Sequence, residues 1–143
     1  MDDLFFLIKR AYLAANKAAD EELARRQLTM SQLEVLLHLW QQDGLEQRHL
    51  QEYLGISSST LTGIIDVLVD HGRVERRVSA EDARVKQLFL TQTGRALLAE
   101  AQAVRQRVNA RLLQGFSASE AALLSDWLRR IMGNMGDHED TPF

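Results

Sequence analysis

Leu50-Gln51-Glu52-Tyr53-Leu54-Gly55-Ile56-Ser57-Ser58-Ser59-Thr60-Leu61-Thr62 is the stretch on which the fold turns. Leu50, Tyr53 and Leu54 share one helical face and predict a short helix over about 47–54 that buries them. Gly55 stands where a helix needs a left-handed residue after its last turn. Ile56 is expected to enter the core, and Ser57 to cap a further helix running to about His71. Leu61, Ile64, Ile65 and Leu68 make the apolar stripe of that helix. Its other face begins Ser58, Ser59, Thr62, Gly63 and Asp66, which is small, polar and almost uncharged. Short hydroxyl side chains let a helix backbone come close to another surface and leave its N-terminal amides available to phosphate.

After Gly72 the period changes from helical to extended. Residues 73–78 and 85–90 read as two strands, with the six residues Ser79 to Arg84 as a hairpin loop. Thr91 or Thr93 starts a long helix carrying Leu97, Leu98, Ala101, Val104, Val108 and Leu112. A last helix follows Ser117 and holds Leu123, Leu124, Trp127, Leu128, Ile131 and Met135. Upstream, a first helix spans about Asp2 to Arg26. Thr29 or Ser31 caps a second, whose expected buried stripe is Leu33, Leu36, Leu37 and Trp40. A short helix, a glycine turn, a helix with a polar face and a basic hairpin together make the winged helix-turn-helix pattern.

Composition bounds the function. The 143 residues suit one domain of mainly α, α+β class, and 45% apolar content gives it material for a core. With no cysteine, disulfides, thiol nucleophiles and thiolate zinc sites are excluded, and a reducing cytoplasm is the expected compartment. The net charge is −3, yet residues 73–95 hold six cations against three carboxylates. A basic patch on an acidic body can still bind a polyanion, because the contact acts over about a Debye length. No phosphate-cradling glycine loop, nucleophile elbow or zinc-spaced histidine pair is present, so neither an enzyme, a metal site nor a cofactor is expected. No apolar run reaches membrane-spanning length.

Several motifs then fall in register. Leu28-Thr29-x-x-Gln32-x-x-Val35-Leu36, the 50–62 stretch, Gly72-Arg73-Val74-Glu75-Arg76, Glu81-Asp82-Ala83-Arg84 and Leu90-Thr91-x-x-Gly94 resemble the MarR (multiple antibiotic resistance regulator) family over about residues 28–98. The resemblance implies a sequence-specific, homodimeric regulator of transcription, most often a repressor, that binds double-stranded DNA at a pseudo-palindromic operator. It implies a DNA-binding lobe over about 29–92, dimerisation helices over 1–27 and about 93–135, and leaves 136–143 as an acidic tail. The helix after Ser57 would enter the major groove, and Arg84 the adjacent minor groove. The sequence departs from the family at Ala83, Arg73, Gly63 and Val67, where relatives often carry arginine, an apolar residue or long polar side chains.

The expected DNA contacts are Ser57, Ser58, Ser59, Thr60, Thr62 and Gly63 on the helix and Arg84 on the wing, with Asp82 pairing Arg84 to hold it ready. Phosphate contacts are expected from Arg48, Arg77 and Lys86. Arg76 reads as structural, its stem on the wing and its head on an acid. Members of the family commonly release DNA on binding a small, often phenolic or aromatic anionic, compound. Tyr12, His38 and Trp40 are the candidates to line such an effector pocket, with plain core packing an equal reading for each. The alternative function is a winged-helix protein-interaction module, or a regulator without effector response.

Overall fold

The computed structural model describes residues 3–137, which carry six α-helices and three strands. They fall into two compact units, one running up to Val108 and the other from Asn109 onward.

The first unit opens with α1 (Leu4–Leu23), whose N-terminus is capped by Asp3. A 3-10 turn, Ala24–Arg26, continues it to Gln27, which is left-handed at φ 50°. Asp20, near the end of α1, accepts the Met30 N–H at 2.6 Å and so satisfies the first amide of α2 (Met30–Gln41). Thr29 caps α2 in a reciprocal pair with Gln32. A two-residue strand, β1 (Leu45–Glu46), leads into α3 (Gln47–Leu54) and α4 (Ser58–Asp70). Gly55 takes φ 62° between the two helices, and Ser57 caps α4 through the Thr60 N–H. Strands β2 (Val74–Val78) and β3 (Lys86–Leu90) form the hairpin. The antiparallel sheet runs β1-β3-β2, with Val74 opposite Leu90, Val78 opposite Lys86 and Leu45 opposite Leu88.

One core fills this unit. Leu33, Leu36 and Leu39 of α2, Leu50 of α3, Leu61, Ile65 and Leu68 of α4, and Leu88 of β3 are wholly buried with Leu23. Each such side chain contributes about 1.5–3 kcal/mol relative to exposure. Helix α5 (Gln92–Leu112) adds Leu98, Ala101 and Val104. The Thr91 hydroxyl starts α5 by accepting the Gly94 N–H at 3.0 Å, and it donates to the Gly72 carbonyl at 2.6 Å.

Two expected core positions lie at the surface. Trp40 is 55% exposed: Leu39 takes the inward position in the last turn of α2, and Trp40, about 100° further round, points out. Tyr53 is also exposed, because Leu50 anchors α3 and leaves Tyr53 to lean its ring on His38 at 5.5 Å. Leu112 ends α5 exposed as well.

The second unit is built on α6 (Ala118–Asn134). Ser117 and Glu120 cap each other's backbone amides there, and the Ser117 amide holds the Glu120 carboxyl below its ordinary range. This helix buries none of its residues, and Leu123, Trp127, Leu128 and Met132 are exposed.

Candidate nucleic-acid interface

The start of α4 is a knot of hydroxyls. Ser57 Oγ accepts the Thr60 N–H, donates to Thr60 Oγ1 at 2.8 Å and lies 3.2 Å from Ser59 Oγ. Ser57 is therefore chiefly a cap, while Ser58, Ser59 and Thr60 stand exposed. Thr62 is more committed than its sequence suggests. Its hydroxyl donates to the Ser58 carbonyl at 2.9 Å and accepts from Gln47 Nε2 at 3.1 Å. Gln47 thus joins α3 to the exposed face of α4, a role that no spacing rule announces. At Gly63 a Cβ would meet nothing within 4 Å, so the face is open there. Ser59, Gly63 and Val67 follow one another at every fourth position, and Val67 is exposed.

The hairpin is tied to this helix. Arg76 donates to Asp66 Oδ1 at 2.7 Å, so β2 is held against α4 by an ion pair, in line with its structural reading. Arg77 sets its guanidinium over the Phe89 ring, 4.3 Å from its centre, and makes a two-pronged pair with Glu75 at 3.0 and 3.1 Å. That pairing holds the Glu75 carboxyl below its ordinary range. Lys86 begins β3 and is exposed. Arg48 is exposed on α3 with Glu46 at 3.4 Å. At the tip of the wing the Asp82 carboxylate accepts both the Arg84 N–H, at 3.0 Å, and Arg84 Nε, at 3.2 Å. The Arg84 amide, then its guanidinium, hold the Asp82 carboxyl below its ordinary range. Arg84 itself remains 91% exposed along its side chain, so its head is presented rather than packed.

The effector candidates Tyr12, His38 and Trp40 stand in different settings. Tyr12 is 58% exposed on α1 and Trp40 is exposed at the end of α2. His38 is buried, with Nδ1 2.8 Å from the Glu34 carbonyl. Burial raises the neighbouring Glu34 carboxyl above its ordinary range, against the opposing charges of His38 and Arg105. A raised carboxyl pKa disfavours the folded state once the group must ionise. Glu34→Gln is therefore expected to match the parent in urea unfolding below the ordinary carboxylate range and to become the more stable of the two as pH rises above it. Parallel stability curves across that range would show that Glu34 ionises without cost.

Among the described residues no group of three or more metal-ligating side chains gathers. His138, Glu139 and Asp140 of the acidic tail lie outside the described residues. Within the same bounds, no helix is long and apolar enough to cross a membrane.

Comparison with known proteins places this geometry. The MarR family profile matches residues 28–86. The uncharacterized HTH-type transcriptional regulator YdgJ of Bacillus subtilis is 32% identical over 112 residues, covering 78% of this chain and 68% of that protein. The HTH-type transcriptional regulator TtmR of Methylorubrum extorquens is 36% identical over 94 residues, 66% of this chain and 48% of that one. Wild-type MarR from E. coli, in its apo form, superposes with a TM-score of 0.81 at 25% identity over 92% of this chain and 98% of that one. A cysteine-to-serine variant of the same protein, complexed with operator DNA, gives 0.82 at 27% identity over 92% of this chain and 99% of that one. Profile, relatives and winged-helix architecture agree, and the chain belongs to the MarR family.

Proposed function

We propose that this chain is a sequence-specific double-stranded-DNA-binding regulator of transcription, working as a homodimeric cytoplasmic repressor. The observation that carries the reading is the pairing of an open, hydroxyl-lined α4 face with a wing arginine held by Asp82 and almost wholly exposed. Short hydroxyls suit close approach to phosphates and base edges, and a flat, permanently charged guanidinium suits the negative potential of a narrow minor groove. The structural likeness to a MarR variant complexed with operator DNA supports it. Ser58, Ser59, Thr60 and Gly63 would face the major groove, and Lys86 and Arg48 the phosphates. Arg77 would reach a phosphate only by giving up Glu75.

The test is a titration against genomic fragments, including the promoter beside its own gene, at two salt concentrations. Saturable binding to one fragment well above competitor DNA, weakening steeply with salt, is expected. Weak binding, equal on every fragment from a preparation free of bound ligand, would overturn the reading.

Assembly as a homodimer is supported by the apolar residues that α1 and α6 leave exposed, among them Phe5, Ile8, Trp127 and Met132. Deleting residues 1–20 should leave a monomeric or aggregated species by light scattering, whereas a well-behaved dimer would show that α1 is not central to association. Release by a small aromatic, anionic effector follows population-shift logic: the ligand must bind the splayed dimer better than the DNA-competent one.

A further inference from the structure

Arg73 stands where the family resemblance implies an apolar residue, and it is buried. Its side chain crosses 46 residues of sequence to the end of the first helix, where Nη1 donates to the Gln27 carbonyl at 2.6 Å and Nη2 to the Arg26 carbonyl at 2.7 Å. Among the described residues no ion pair joins Arg73 to a carboxylate. Its charge is met instead by carbonyls at a helix C-terminus, where a cation is favoured. The planar fork meets each oxygen with its own nitrogen, whereas an ammonium would have to serve both from one. One of the two belongs to Gln27, a non-glycine residue in the left-handed region that persists because its surroundings hold it.

The backbone of the same residue is a second junction. The Arg73 N–H donates to the Leu68 carbonyl at 2.9 Å and its carbonyl accepts the Thr91 N–H at 3.2 Å. The end of α4, the start of β2, the start of α5 and the end of α1 therefore meet at one residue. The ion pairs Arg26–Glu100 and Arg107–Glu22, both 3.3 Å, also join this end of the first helix to α5; each has one partner more than half exposed, and such pairs contribute little rigidity.

We propose that Arg73 is a positioning residue for DNA recognition. It clasps the recognition helix and wing to the end of α1, so that α4 and Arg84 are presented at one fixed angle. This rests on the DNA-binding reading above. Contact sets of this kind need holding to within about 0.5 Å, so a looser clasp lowers specific affinity without removing any contact residue.

The absence of cysteine makes the test direct. Spin labels on Lys17→Cys in α1 and Ala83→Cys in the wing, in full chains diluted with unlabelled protein, report the intrachain distance distribution without DNA. A narrow distribution is expected with Arg73, a broad one in Arg73→Leu and an intermediate one in Arg73→Lys, which also serves should the leucine chain fail to fold. In folded protein, operator affinity should fall on the order of tenfold in Arg73→Leu, while affinity for non-specific DNA stays unchanged. An equally narrow distribution in the variants, or operator affinity per folded molecule equal to the parent's, would overturn the clasp. Failure of the unaltered chain to bind any DNA would sink the DNA-binding reading instead, and the distance distributions would still decide whether Arg73 fixes the wing.

Discussion

Gly94→Ala should destabilise the fold by about 3 kcal/mol, the upper part of the range for an overpacked site. The added methyl would overlap the Arg73 carbonyl oxygen and come within 3.1 Å of Leu90 Cδ2. Backbone cannot step aside like the end of a flexible side chain. That carbonyl also accepts the Thr91 N–H, so moving it disturbs the start of α5. For a chain of this length such a loss lowers the melting temperature by roughly 10 °C. Gly63→Ala is the matched control, because a Cβ there meets nothing within 4 Å and a helix interior gains from alanine. Thermal unfolding of the two variants side by side checks the claim; an equal response would mean that the α5 start can slide away from Arg73.

Arg84→Ala should weaken operator binding by about 1–3 kcal/mol, the value of one good recognition contact, which corresponds to roughly 5- to 150-fold in affinity. Stability should hardly move, since the side chain is 91% exposed and its pair with Asp82 is a surface one. Asp82→Ala should cost less. It frees the guanidinium to wander but leaves it in place. Because Asp82 is held below its ordinary range, the tie is present at neutral pH and is lost only as pH falls through that lowered value. Fluorescence anisotropy on an operator fragment distinguishes the three chains. Parent-like affinity in Arg84→Ala would remove the wing tip from the contact set.

What could be read in advance was local. The limits of α3, the left-handed Gly55 and the Ser57 cap follow from neighbours within four residues. The Asp82–Arg84 pair is equally local. The misses are long-range or positional. A two-residue strand such as β1 has no period to detect, and its partner Leu88 lies far along the chain. Trp40 and Tyr53 sit at apolar spacings, yet which way a helix rotates on its core depends on what packs against it. Arg73 was visible only as an oddity, since its carbonyl partners are set by tertiary contact. Within the proposed interface, the residue types were legible but their commitments were not. Thr62 and Arg77 already have partners inside the fold.

Those commitments bear on how such a protein would find its target. Arg48, Arg77 and Arg84 each rest on a carboxylate, at Glu46, Glu75 and Asp82. Contact with any stretch of duplex must exchange carboxylate for phosphate, so the gain per arginine is smaller than for a bare cation. Most of a chromosome is wrong sequence, and competes through charge alone. Pre-paired arginines on a chain of net charge −3 keep that competition weak. Time is then spent searching rather than stuck, and residence is long only where groove shape and base edges repay the exchange.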